Sequence, residues 1–363
     1  MTSAGMPDRG GNNKIISTGL IGVTKDEEFG NVYFGISLDA FHKLGFAYGD
    51  SVDVLFDNGK EIADIPYYSG YYTPIGELML CGYPGSAHVK LARNNGEPTW
   101  EEFCTSGSPG VTVSLHQKGK YRDIEDLHAL IYSDDRKDYD SDSEFCNFRE
   151  LHGGRLKRKT FYRAASVCDN KHGRTPYVNR LAEEAGVKFV LNLAENEERY
   201  IKCTRAPGYT SSYCDLLYEN GDVLLLALNA NYRSAEYAKT VAEAMMALTK
   251  HNGPFLFHCL EGKDRTGFVC ALLLALAGAS AQEIIDDYML TYDNYYGITM
   301  ESNPARYRAI QENVNGFLYF MCGAGKGTPL ENMDLKKGAE EYLRRGGLDR
   351  MSIKTVESSV TQE

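Results

Sequence analysis

A short apolar run, then a thiol, a loop containing glycine, an arginine and at once an apolar helix leave a chain few ways to fold. Residues 255–267, Phe-Leu-Phe-His-Cys-Leu-Glu-Gly-Lys-Asp-Arg-Thr-Gly, contain all of these. The pattern predicts a buried strand ending at His258, a loop closed by Arg265, and a helix from Thr266 to about Ala279. The five residues between Cys259 and Arg265 (Leu260, Glu261, Gly262, Lys263, Asp264) can wrap their backbone N–H groups around one tetrahedral oxyanion, as helix N-termini and backbone nests do. Arg265 can hold two oxygens of that anion in a fork. The same donors and the helix dipole favour negative charge on the Cys259 sulfur. A thiolate beneath a bound phosphoryl group is a nucleophile placed for in-line attack. The chemistry expected is phosphomonoester hydrolysis through a phosphocysteine, with no metal and no cofactor.

The bare Cys-x5-Arg spacing is weak evidence. With nine cysteines and arginine at roughly one residue in twenty, about half a chance match is expected. The chain contains one: Cys168-Asp-Asn-Lys-His-Gly-Arg174. That stretch follows Arg163-Ala-Ala-Ser-Val167, which does not read as a buried strand, and it has no glycine three residues after the cysteine. Gly262 fills that position in the first loop and permits close backbone approach. Pro176 marks the second stretch as the lead-in to a helix.

The first loop, His258-Cys-x-x-Gly-Lys-Asp-Arg-Thr-Gly267, resembles the active-site loop of the bacterial cysteine-dependent tyrosine phosphatases similar to mycobacterial protein tyrosine phosphatase B. The resemblance extends to Asn147-Phe-Arg-Glu-Leu-His-Gly-Gly154, Lys159-Thr-Phe-Tyr-Arg163-Ala-Ala-Ser166, Gly186-Val-Lys-Phe-Val-Leu-Asn-Leu193 and Ala339-Glu-Glu-Tyr-Leu343. It covers residues from about 145 to about 355 and implies a cysteine-phosphatase fold, a sheet flanked by helices. That branch acts variously on phosphotyrosine, phosphoserine or phosphothreonine, and phosphoinositides. The substrate implied is therefore a phosphorylated protein or a phosphoinositide, with an inositol phosphate as a further alternative.

The chain departs from the family where Asn192-Leu193-Ala194 stands in place of the usual Asp-Leu-Arg. Many cysteine phosphatases carry a mobile aspartate ahead of the helix that leads to the loop. Here that stretch, Leu226-Ala-Leu-Asn-Ala-Asn-Tyr-Arg233, has no carboxylate. By elimination, and by resemblance to the Lys-Asp-Arg branch, Asp264 is the candidate to protonate the leaving oxygen; the alternative is a solvated or ion-paired loop residue. Asp215 and Glu236 are the next carboxylates to consider. Thr266 either hydrogen-bonds the sulfur or is an ordinary helix N-terminal hydroxyl. His258 is expected to anchor the loop from a buried position. Lys263 is either a second phosphate contact or a solvated lysine. Tyr292, Tyr295 and Tyr296 either line a substrate wall or pack a helix end.

The rest of the chain divides near residue 140. Residues 1–13 are expected to be disordered. From about 14 to 120, short strands and turns read as a small all-β, barrel-like domain; Ser51–Phe56 alternates and Asp57-Asn-Gly59 makes a hairpin turn. Residues 121–144 read as an acidic, solvated linker. Residues 145–363 alternate strand-like and helical runs, giving an α/β class overall. Asp26-Glu-Glu-Phe-Gly-Asn31, Gly49–Val54 and Gly85–Gly96 resemble the C-terminal barrel of the S-adenosylmethionine hydroxide adenosyltransferases. That likeness implies a nucleoside ligand, with Asn31 among its contacts, although the resemblance does not extend to that family's catalytic domain.

A net charge of −11 argues against nucleic acid as a general partner. No run of about eighteen apolar residues is present, so no stable membrane insertion is expected, and no Sec signal appears. Scattered cysteines, odd in number, suggest reduced thiols in the cytoplasm. Two function classes remain open: a catalytic phosphatase, or a module that holds phosphate or nucleotide groups without turnover. The presence of both Cys259 and Arg265 favours the first.

Overall fold

The computed structural model describes residues 16–27, 29–104, 110–210 and 213–362. Residues 1–13, where disorder was expected, lie outside the described residues. The chain divides into two compact units, one ending at Ala129 and the other beginning at Leu130.

The first unit contains strands β1 (Ser17–Lys25), β2 (Val32–Phe34), β3 (Ser51–Phe56), β4 (Glu61–Tyr68), β5 (Leu78–Cys81), β6 (Lys90–Arg93) and β7 (Gly110–Gln117). They close a barrel in the order β1-β2-β6-β5-β4-β3-β7, with β7 pairing back onto β1. Helices α1 (Leu38–Lys43), α2 (Thr99–Phe103) and α3 (Arg122–His128) accompany it. The alternation in β3 decides which face is inside: Val52, Val54 and Phe56 are buried, whereas Leu55 is exposed. The turn after β3 closes with Phe56 N–H donating to the Lys60 carbonyl. Asn31 is buried and donates to Asp26 Oδ2 at 3.0 Å, so its side chain is engaged within the barrel.

The second unit has α4 (Asp142–Phe145), β8 (Arg149–Glu150), β9 (Phe161–Ala164), α5 (Thr175–Glu184), β10 (Phe189–Asn192), α6 (Glu197–Thr204), α7 (Tyr213–Glu219) and β11 (Val223–Leu225). It continues with α8 (Ala235–Ala247), β12 (Phe255–His258), α9 (Asp264–Leu276), α10 (Ala281–Tyr296), α11 (Pro304–Cys322), α12 (Leu335–Arg345) and α13 (Arg350–Val360). The sheet runs β11-β10-β12-β9-β8, parallel except for β8. Every side chain of β10 and β12 is buried, as expected of strands covered on both faces. Helix α9 is buried along its length from Thr266, which accounts for an apolar run with no polar face. No helix among the described residues is long and apolar enough to cross a membrane.

Two expectations are corrected. The Arg163 segment was not read as a strand, yet Phe161–Ala164 forms β9, parallel to β12 and buried but for Tyr162. An arginine in mid-strand breaks the apolar run, and its compensating partners lie far away in sequence. The acidic stretch 121–144 is not simply solvated. It contains α3, a 3₁₀ turn at Arg136–Asp138 and most of α4, and Arg136 pairs with Asp142.

Candidate active site

Strand β12 lies between β9 and β10, with His258 opposite Ala164 on one side and Asn192 on the other. The carboxyl end of a central parallel strand is where open α/β sheets place their ligands, and Cys259 begins its loop there. The thiol is 3% exposed.

The loop is held from outside by its carbonyls. Ser166 N–H donates to Leu260 O at 3.0 Å, and the Tyr295 hydroxyl to Glu261 O at 2.8 Å. Arg163 Nη2 and Asn147 Nδ2 donate to Gly262 O at 2.7 and 3.1 Å. Gly267 N–H donates to Lys263 O at 2.7 Å as α9 begins. With four successive carbonyls tied outward, the N–H groups are left for another acceptor. Among the described residues, none of the backbone N–H groups from 260 to 265 donates within the protein. Such a cradle binds oxyanions.

Gly262 is the steric condition for this loop. Its φ is +65°, and a Cβ there would lie 2.2 Å from the Ala164 carbonyl oxygen. Gly262→Ala must therefore push the loop off β9. Misplacement of about 1 Å at a reacting centre costs on the order of 10²-fold. A fall of that size in kcat/KM with an aryl phosphate is expected; unchanged activity would mean that the loop does not need its observed contact with Ala164.

The charged side chains sort into distinct surroundings. Arg265 Nη1 donates to Leu228 O at 3.2 Å. The Lys263 ammonium lies 3.0 Å from Glu261 and 3.9 Å from Asp264, with the Tyr292 and Tyr296 rings each 5.9 Å away. Burial works against the Lys263 charge, but Asp264 and Glu261 overcome it and hold the ammonium well above its ordinary range. Burial would likewise raise Glu261. Lys263 and the Tyr132 hydroxyl, at 2.5 Å, instead bring it down to about 2. Lys263 is thus neither freely solvated nor free to swing. Asp264, whose side chain is 51% exposed, opens α9. The Thr266 hydroxyl is buried and has no hydrogen-bond partner among the described residues. Tyr295 packs behind the loop as its hydrogen-bond partner. Among the described residues, no group of three or more His, Cys, Asp and Glu side chains is placed to hold a metal ion.

His258 is fully buried, with Nδ1 3.2 Å from the Cys259 carbonyl oxygen. Burial pushes the ring down to about 4, with Arg265 assisting and the Cys259 carbonyl opposing, so the ring is neutral at pH 7 and Nδ1–H is the donor. The unfolded chain takes up this proton near pH 6.5 and the folded protein only near 4. Stability should therefore be unaffected above pH 6.5 and fall as the pH drops from 6.5 towards 4, by on the order of 3 kcal/mol. Urea unfolding of wild type and His258→Asn across this range checks it: the variant should lose this component of the slope.

The competing Cys168–Arg174 stretch does not form a cradle. Cys168 is fully buried, with Sγ 3.5 Å from Ser166 Oγ and 3.7 Å from Glu195 Oε2. Burial, then Glu195, push its thiol well above 9. Arg174 turns away to the Phe145 carbonyl and Asp134, at 2.7 and 2.9 Å. Asp215 accepts from Tyr209, and Glu236 is exposed in the first turn of α8.

Sequence reasoning assigned no role at the loop to Asn147, Arg163 and Tyr132, and it overlooked Glu195. Glu195 is a buried carboxyl at the end of β10; burial raises its pKa and Arg265 partly offsets this. The available signals were the buried-strand context of Arg163 and the one acidic residue directly after Asn192-Leu193-Ala194.

Comparison with known proteins places these features in a family. A 42-residue stretch is 48% identical to a tyrosine-protein phosphatase of Nostoc commune, covering 12% of this chain and 14% of that protein. A 57-residue stretch is 39% identical to the triple specificity protein phosphatase PtpB of Mycobacterium tuberculosis (strain ATCC 25618 / H37Rv), covering 16% of this chain and 21% of that protein. The chain thus matches only a small part of the length of these curated relatives. Among solved structures, the core catalytic domain of the PP-IP phosphatase SIW14 from S. cerevisiae matches 47% of this chain and 94% of that one, at 17% identity and a TM-score of 0.26. The sequence profile of the tyrosine phosphatase family matches residues 143–362, a span that begins at the folded acidic stretch and takes in the loop, its supports and the C-terminal helices. The chain belongs to the tyrosine phosphatase family, a family of cysteine-dependent phosphatases.

Proposed function

We propose that this protein is a phosphomonoester hydrolase acting through a phosphocysteine, with phosphotyrosine or dual-specificity protein substrates. The observation that carries the reading is the loop whose carbonyls are tied outward between a thiol and a guanidinium. A phosphate seated there meets inward N–H groups and the Arg265 fork, which neutralise its charge without a metal. The Cys259 thiolate attacks phosphorus and forms the S–P bond as the ester P–O bond breaks. The departing oxygen takes its proton from Asp264. Water then attacks phosphorus, returns a proton to Asp264 and releases phosphate and the thiolate.

The test is turnover by purified protein of a panel of phosphopeptides, aryl phosphates, phosphoinositides and inositol phosphates, with and without a strong chelator. Turnover should survive chelation, and iodoacetate should inactivate the enzyme with protection by phosphate. Complete loss on chelation, restored by added metal, would overturn the mechanism. Turnover confined to inositol phosphates would overturn the substrate assignment.

A further inference from the structure

The surroundings of Lys263 bear on which phosphates the loop can accept. Lysine binds phosphate well as a point charge, and this ammonium lies 3.9 Å from Asp264, the carboxyl assigned to the leaving oxygen. It therefore stands on the side of the cradle where the rest of a substrate must emerge. A free ammonium there would attract any substrate carrying a second phosphate. Glu261 takes it instead, at 3.0 Å, with the Tyr292 and Tyr296 rings close by.

Glu261 is itself fixed from a distant part of the chain. The Tyr132 hydroxyl donates to its Oε1 at 2.5 Å. Tyr132 stacks on Tyr295, with ring centroids 5.3 Å apart, and meets Tyr296 edge-on. The Arg174 guanidinium lies 4.8 Å from the centre of the Tyr132 ring. Asp134 holds Arg174 at 2.9 Å and His172 at 3.1 Å, and His172 Nε2 lies 3.3 Å from the Tyr132 hydroxyl. The arginine of the competing Cys-to-Arg stretch is thus employed behind this tyrosine. Ion pairs between exposed, flexible side chains contribute little. Here both side chains are largely covered, at 18% and 24% exposure, and one of them is anchored.

We infer that Glu261, anchored by Tyr132, is a positioning residue that keeps Lys263 from a second phosphate and so selects substrates carrying one phosphate over polyphosphorylated molecules such as inositol polyphosphates. The inference rests on the phosphatase reading above. A polyphosphate reaching the cradle meets an ammonium whose charge is already matched, beside a carboxylate of its own sign. Discrimination of this kind comes from what the site places against the wrong ligand. A phosphotyrosine has no second phosphate to be refused, and its ring can pack on the partly exposed rings of Tyr132 and Tyr296.

Two comparisons test this in the full-length protein. Calorimetry on Cys259→Ser compares inorganic phosphate with pyrophosphate; turnover by the protein with Cys259 intact compares a phosphotyrosine peptide with an inositol trisphosphate. Adding Glu261→Gln should move the affinity ratio towards pyrophosphate, and the kcat/KM ratio towards the trisphosphate, by roughly tenfold, the scale of one charge-assisted hydrogen bond. Removing a negative charge would by itself favour polyanions, so Lys263→Met is then added to Glu261→Gln. The gain should vanish if it came from a released Lys263 and persist if it came from the lost charge alone. If Glu261→Gln does not fold, Tyr132→Phe should move the same ratios in the same direction by less. Ratios unchanged in the variant that folds, or a gain that survives Lys263→Met, overturn the inference. If phosphate binds but nothing is turned over, the calorimetric ratios still decide it. A Cys259→Ser protein that binds no phosphate defeats the phosphatase reading itself, and the inference with it.

Discussion

Cys259→Ser is expected to abolish hydrolysis of an aryl phosphate while the protein stays folded and still binds vanadate or phosphate. The cradle is built from backbone N–H groups and Arg265, and the substitution alters none of its ties: Leu260, Glu261, Gly262 and Lys263 keep their outward partners. What is lost is the proposed nucleophile, since a hydroxyl is a far weaker acid than a thiol and is not ionised near neutral pH. His258 directs its one N–H to the Cys259 carbonyl, and its Nε2 is buried without a hydrogen-bond partner among the described residues. Cys168→Ser should remain active, because that thiol sits in the core with Ser166 and Glu195 rather than under the cradle. Steady-state turnover, anion binding by calorimetry and thermal melts on the two variants separate chemistry from folding. Equal loss of activity in both, with melts unchanged, would sink the assignment of the nucleophile.

Asp264→Asn should slow hydrolysis of phosphotyrosine far more than that of an activated phenyl phosphate. General acids contribute typically about 10²–10⁴-fold, and most where the leaving oxygen is basic. An activated phenol departs as its anion and gains little. Asp264 opens the buried helix α9 yet keeps half of its side chain exposed, beside the ion-paired Lys263. The substitution also removes a carboxylate close to the loop, so the pH midpoint of Cys259 alkylation has to be followed in parallel. Should both substrates slow equally with that midpoint unchanged, Asp264 is not the acid. The search then moves to Glu195, which burial keeps inclined to hold a proton near Arg265, ahead of Asp215 and Glu236, whose surroundings tie neither to the loop.

The loop itself was legible in the chain because its determinants are local: an apolar run, a cysteine, a glycine three residues on, an arginine and an apolar helix are all decided within 255–276. The hairpin after Phe56 was legible for the same reason, and the helical periodicity read over 235–248 and 281–292 corresponds to helices at 235–247 and 281–296. Which of two identically spaced Cys-to-Arg stretches forms the cradle was indicated by Gly262, and the structure gives the mechanical cause, a 2.2 Å clash with Ala164 for anything larger.

What surrounds the loop was decided only by tertiary structure. Arg163 reads as an interruption of a strand until Asp287, 124 residues away, arrives to pair with it. Tyr132 reads as part of a solvated acidic stretch until it donates to Glu261, 129 residues on. Closure of the barrel depends on β1 meeting β7, Ile21 opposite Val111. Periodicity and turn chemistry act over a few residues and are written in the sequence. A buried charge is tolerated only when a distant partner desolvates with it, and no local pattern announces that partner.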